Sequence, residues 1–134
     1  MQARILVSFY HREPGQVLLF QIPSNELLVE LKDLFVALSR AEAGRTEEIY
    51  SLEWIQGEIP IRSIALRRLS DEKAEPSKTL RVCSRKDGVA IEWSRHGDGW
   101  LECAEKIAAL RPQSHQYLNR DMDDVVAEVS FMEA

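Results

Sequence analysis

The chain has 134 residues, 45% of them hydrophobic and 29% charged, with a formal net charge of −5. This is the length and composition of one soluble globular domain able to bury its own core. No apolar run approaches the roughly 20 residues that span a bilayer, and the acidic balance gives no global bias toward nucleic acid or anionic lipid. The first residues, Met1 to Tyr10, lead straight into strand-like sequence without a basic region or a small-residue cleavage site, so no signal peptide is read. Cys83 and Cys103 belong to no loop-rich disulfide framework, and the expectation is a cytoplasmic protein with reduced thiols.

In chain order, Ile5, Val7 and Phe9 alternate with Leu6, Ser8 and Tyr10, which predicts a strand buried on both sides. Pro14-Gly15 inside a polar cluster signals a turn, and Val17 to Ile22 returns as the second strand of a hairpin. Pro23 ends it. Ser24 is placed to cap a helix running to about Arg40, with Glu26 at the positive end of its dipole. Leu27, Leu28, Leu31, Leu34, Phe35 and Leu38 recur at i, i+3, i+4 and i+7 and form its core stripe. Val29 and Val36 lie on the opposite side, and the pattern predicts a strand over Ile49 to Trp54.

Gln56 to Pro60 turns the chain into a strand over Ile61 to Leu69, expected to pair antiparallel with the one before it. Asp71 to Lys78 reads as a polar linker. Leu80 to Ser84 and Val89 to Trp93 form a second hairpin with its turn at Arg85-Lys86-Asp87-Gly88, Asp-Gly between alternating runs being a hairpin signal. Asp98 is the expected N-cap of the second helix, with Glu102 in its first turn. Trp100, Leu101, Cys103, Ala104, Ile107, Ala108 and Leu110 form its apolar face. Arg111-Pro112 stops that helix, and Val125 to Phe131 closes the chain as a strand.

Hairpin, helix and strand therefore occur twice, in units 4–54 and 80–131 joined by strand 61–69 and linker 71–78. Residue identity between the units is low. The predicted fold is α+β in one domain, residues 1–134: a largely antiparallel sheet of about seven strands with two helices on one face.

Each candidate chemistry competes with a plainer role. His96 and Asp98 share a glycine-flanked loop, while His115 precedes an acidic turn at Asp121, Asp123 and Asp124; together these could offer nitrogen and oxygen to a divalent metal. Their spacing matches no metal motif, and a cap and a solvated turn account for them. Cys103 with His115 or His96 would make a nucleophile pair, but a thiol on an apolar helix face behaves as a small hydrophobe. Gly97-Asp98-Gly99 resembles an anion cradle, except that Asp98 puts a carboxylate where the phosphate would go. Arg62, Arg67, Arg68, Arg81, Arg85 and Lys86 could gather on adjacent strands beside Trp54 and Trp93 as an RNA surface, although Trp93 alternates onto the core side.

Residues 80–131 resemble small bacterial immunity proteins that neutralise polymorphic toxins. The resemblance rests on a short hairpin, Gly97-Asp98-Gly99-Trp100-Leu101 opening an Ala/Leu helix, the segment Ser114 to Leu118, and a closing apolar strand. It covers about two-fifths of the chain, and residues 4–54 depart from it. It implies an acidic, non-enzymatic domain that binds a toxin by surface complementarity.

The functional expectation is accordingly a protein-binding domain without catalysis or cofactor. Its partner is a basic protein, met by His96, Asp98, His115, Tyr117, Asp121, Asp123 and Asp124. Two alternatives stay open. One is a small-ligand or enzymatic site between the sheet and the helix N-termini, with His115 and an aspartate converging. The other is a homodimer through the Val29 and Val36 face or a free sheet edge.

Overall fold

The computed structural model describes residues 3–12, 15–72, 74–119 and 125–132. Strands β1 (Ile5–Arg12) and β2 (Gly15–Ile22) form the first hairpin, with Leu6 opposite Gln21 and Arg12 opposite Gly15. Its turn residues Glu13 and Pro14 lie outside the described residues. Pro23 has no N–H to extend the ladder, and β2 stops before it. Ser24 caps α1 (Asn25–Arg40) as expected, its hydroxyl oxygen accepting from the Leu27 N–H at 3.3 Å. Leu27, Leu28, Leu31, Phe35 and Leu38 are buried along one stripe.

Two short strands follow, β3 (Thr46–Glu48) and β4 (Ile55–Gly57). The strand expected over Ile49 to Trp54 is instead a turn. Ile49 is buried, its N–H bonded to the Ile64 carbonyl at 3.0 Å, while its own carbonyl accepts from the Leu52 N–H at 3.1 Å. Tyr50, Leu52 and Trp54 pack half-buried against the core from this turn. Next come β5 (Ile61–Arg68), β6 (Leu80–Arg85) and β7 (Gly88–Arg95). The turn between β6 and β7 requires Gly88, which sits at φ +141° where an added Cβ would collide with the Pro60 carbonyl oxygen. Helix α2 (Gly97–Ala108) and strands β8 (His115–Tyr117) and β9 (Val125–Phe131) complete the chain.

The described strands number nine and form two mixed sheets, ordered β4-β1-β2-β9-β8 and β3-β5-β7-β6, in place of the single largely antiparallel sheet expected. β5 pairs antiparallel with β3 and parallel with β7, while β9 lies parallel to β2. The long strand that comes after each helix, β5 or β9, is thus added to the hairpin of the other unit. β5, which had no counterpart in the sequence pattern, is the counterpart of β9. Parallel neighbours need a long crossover: both helices lie in the connection from β2 to β9, while β5 reaches β7 through the 69–79 stretch and β6.

Both helices and the inner faces of both sheets share one core cluster. Phe35 of α1 stacks on Trp100 of α2 at a centroid distance of 5.5 Å, and Trp93 of β7 meets the two edge-on at 5.8 and 5.1 Å. Such pairs contribute about 0.5–1.5 kcal/mol each beyond their buried area. The Trp100 indole N–H donates to the Arg67 carbonyl at 3.0 Å, which fixes α2 against the end of β5. Val36 leans on this core and Val29 alone stands 41% exposed, so α1 offers no two-valine surface. No described helix is long and apolar enough to cross a membrane.

Candidate functional site

The N-terminus of α2 differs from its sequence reading. His96, not Asp98, occupies the N-cap position and makes no side-chain cap bond; Asp98 is exposed in the first turn, and Glu102 lies further along, pairing with Lys106 at 3.4 Å. The capping carboxylates come from the segment expected to be a plain linker. Asp71 Oδ1 accepts from the Gly97 N–H at 3.1 Å, and Glu75 Oε2 accepts from the His96 N–H at 2.9 Å. Carboxylates at this position suit the positive end of the helix dipole.

The same carboxylates neutralise two buried arginines, register partners at the ends of β5 and β7. Arg68 is 7% exposed and grips Asp71 bidentately at 3.0 and 2.9 Å; it also donates to the Leu69 carbonyl. Arg95 is 2% exposed and donates to Glu75 at 3.3 Å, to the Leu118 carbonyl at 3.3 Å and to the Cys103 sulfur at 3.5 Å. The hydrogen bond from Arg68, then that from the Gly97 N–H, holds the Asp71 carboxyl below its usual range. Burial works against the Arg95 charge, and the nearby Cys103 sulfur and the Glu75 carboxylate work in its favour. Burial pushes the Cys103 thiol up to about 11, so it is protonated at neutral pH and Glu75 provides the counter-charge. Gly97 and Gly99 leave room for the guanidinium groups: a Cβ at either would lie 2.5 Å from Arg68 Nη2 or 2.6 Å from Arg95 Nε. The Gly-Asp-Gly sequence therefore serves two arginines and no phosphate, because the N–H groups of His96 and Gly97 are already taken.

Residues 69–72 and 74–79, latched by Asp71 and Glu75, border the outer face of the second sheet and leave a cavity of about 280 Å³ there. Arg67, Lys78 and Arg81 line it with Glu92, Ser94 and His96. The His96 Nε2 is shielded from solvent and has no hydrogen-bond partner among the described residues. A larger hollow of about 400 Å³ at the end of α1, lined by Leu34, Leu38, Glu42 and Arg45, presents no histidine, thiol or cluster of cations.

His115 and Tyr117 lie elsewhere, on the edge strand β8 of the first sheet, both exposed and with their rings 5.8 Å apart. They flank a face that β1 does not bury as expected. Strand register sets Tyr10 beside Val17 and Val126, and sets Ser8 beside Leu19, Glu128 and Tyr117. Leu6, Leu19 and Val126 are only half-buried and stand apart from the core that Ile5, Val7 and Val129 enter. Both helices lie on the other side of this sheet. Leu6, Tyr10, Leu19 and Val126 thus share this face with Ser8 and Glu128, and no described helix covers it, although Val17 and one Glu128 oxygen on it are buried; Tyr117 stands at its edge.

His96 with Asp98 and His115 with Tyr117 are therefore separate surfaces, and Asp121, Asp123 and Asp124 lie outside the described residues. Among the described residues no group of three or more His, Cys, Asp or Glu is placed to hold a metal ion. Cys103 bonds to Arg95 and the Leu118 carbonyl, not to a histidine, so it lacks the base that a nucleophile pair needs. Trp93 is wholly buried, opposite the Arg67 and Arg81 side of the sheet, which leaves no stacking ring there. Sequence reasoning missed the buried Arg68 and Arg95. Their signal was parity: each continues the inward alternation of Ile64, Leu66 or of Ile91, Trp93.

No protein-family model, curated protein or solved structure matches this chain.

Proposed function

We propose that this chain is a non-enzymatic protein-binding domain that neutralises a basic partner, in the manner of the toxin-immunity proteins that residues 80–131 resemble. It docks through the outer face of the first sheet. The observation that carries this reading is the outer face of the first sheet, which no described helix covers: Leu6, Tyr10, Leu19 and Val126 stand half-buried or exposed around Ser8 and Glu128, with exposed His115 and Tyr117 at the rim. Half-buried aliphatic residues beside an exposed tyrosine have the make-up of an interface centre, where aromatic anchors contribute most. The formal charge of −5 and the three aspartates between β8 and β9 favour a basic partner, raising its rate of encounter more than its final affinity. Asp98 and His96 fall outside this surface and are not needed for docking.

The test is co-expression with the toxin encoded beside its own gene. The reading expects a stable complex on co-purification and survival of cells producing that toxin. Absence of both ends the proposal. Light scattering of the chain alone checks the competing use of the same face: a dimer whose dissociation follows Leu19→Glu would assign the face to a second copy instead.

A further inference from the structure

We infer that the cavity on the outer face of the second sheet binds a small dianion, a phosphomonoester or a dicarboxylate. Charge is the first ground. Among the described lining residues Arg67 and Arg81, with Lys78 at the rim, outnumber the one carboxylate, Glu92, in a chain whose total charge is −5. The second ground is that the neighbouring acids are occupied elsewhere. Asp71 and Glu75 of the closing segment are turned onto Arg68, Arg95 and the N–H groups that open α2. The Arg67 and Arg81 guanidinium groups make no ion pair among the described residues, Arg81 and Glu92 being cross-strand neighbours without a salt bridge.

Geometry supplies the third ground. Arg67 on β5 and Arg81 on β6 flank β7, level with Ser94 and Glu92, so two strand spacings and a two-residue offset put their backbones about 12 Å apart, and long side chains can close on one ligand from both sides. The volume of about 280 Å³ holds the equivalent of about nine waters, which suits a compound of metabolite size. Ser94 offers a hydroxyl on the floor, and His96 lines the cavity beside it. Guanidinium groups match the paired oxygens of phosphate and carboxylate alike, so the dianion is specified and its carrier is not. No Phe, Tyr or Trp is among the described residues that line the cavity, which disfavours a stacked nucleobase.

The experiment is an amide NMR titration of the full chain with glycerol phosphate, succinate and, as a neutral control, glycerol. Resonances of Ser94, His96 and Leu69 are expected to move with one or both dianions and not with glycerol; which dianion binds tighter identifies the class. Arg67→Gln and Arg81→Gln should each weaken binding about tenfold, as expected for loss of one charge-assisted contact. Arg62→Gln, at the far end of β5 beside Asp87, should leave binding unchanged. Arg67 and Arg81 are exposed, so thermal melts should confirm that both variants remain folded. The inference is overturned if neither dianion moves these resonances at millimolar concentration, or if the Arg67→Gln, Arg81→Gln double variant binds like the parent. It is equally overturned if a single-stranded oligonucleotide binds there and the small dianions do not compete.

Discussion

Replacing Glu75 with Ala tests whether the 69–79 segment is a latch or an ordinary linker. The substitution removes the counter-charge of Arg95, whose side chain is 2% exposed, and the acceptor of the His96 N–H. Breaking a buried ion pair by deleting one partner costs about 3–5 kcal/mol, because the remaining charge stays buried. The Glu75 side chain is 22% exposed, so water can partly replace it, and the lower figure of about 3 kcal/mol applies. Against a native stability of about 5–15 kcal/mol this is a large fraction. For a chain of this size it corresponds to a fall in Tm of roughly 10 °C. Calorimetry and urea unfolding measure it, with Glu72→Ala as the exposed control. Pairing it with Arg95→Met separates charge from packing: once the guanidinium is gone, Glu75→Ala should cost only about 1 kcal/mol, the share of the lost hydrogen bond. Additive effects in the double variant, or a Tm within about 2 °C of the parent for Glu75→Ala alone, would refute the reasoning.

The remaining predictions concern the same neighbourhood and the thiols. Gly→Ala inside a helix ordinarily stabilises by about 0.5–1 kcal/mol, but here Gly97→Ala should destabilise, and by more than Gly99→Ala. The added methyl at 97 meets the Ser39 carbonyl at 2.8 Å as well as Arg68, whereas at 99 it meets only side-chain atoms that can shift; equal or raised melting temperatures for Gly97→Ala would contradict this. Arg68 and the Gly97 N–H depress the Asp71 pKa, so its contribution is complete above the unfolded carboxyl value of 3.8 and fades as pH falls through the lower native value. Asp71→Asn should therefore narrow its stability gap to the parent below about pH 4, as read by urea midpoints; a constant gap across the acid range contradicts the assignment. Iodoacetamide should modify exposed Cys83 in the native chain and reach Cys103 only after denaturation, because burial raises that thiol to about 11; native double labelling in mass spectrometry would exclude the buried placement.

Local structure was legible in the sequence wherever one mechanism decided it. Ser24 as cap, Pro23 as stop, Asp87-Gly88 as turn and the Leu27 to Leu38 stripe all follow from neighbours within a few residues. Pairing was not, because period-two alternation assigns a face to each side chain but no partner to the strand. The exchange of β5 and β9 between hairpins is of that kind. Ile49 to Trp54 misled because alternating apolar residues fit a turn packed on a core as well as a strand. Of the candidate site, Tyr117 and His115 could be singled out since no local structural task absorbed them. The apolar outer face could not: Leu6 and Leu19 read as core until β1 and β2 have a known inner side. Asp71 and Glu75 looked like linker polarity because their partners, Arg68 and Arg95, are hidden as charges that end two inward-facing runs.

The central claim is that the outer face of the first sheet binds a basic protein partner. The measurement that tests it most directly is toxin protection by Leu19→Glu compared with Val29→Glu, each verified as folded by its thermal melt. Leu19 lies in the middle of the proposed face, while Val29 is an exposed aliphatic residue on α1, on the other side of that sheet. The account predicts that Leu19→Glu abolishes protection and weakens binding at least about a hundredfold, the loss of a hot-spot contact, while Val29→Glu protects like the parent. Full protection by Leu19→Glu, or its loss in Val29→Glu alone, would contradict it.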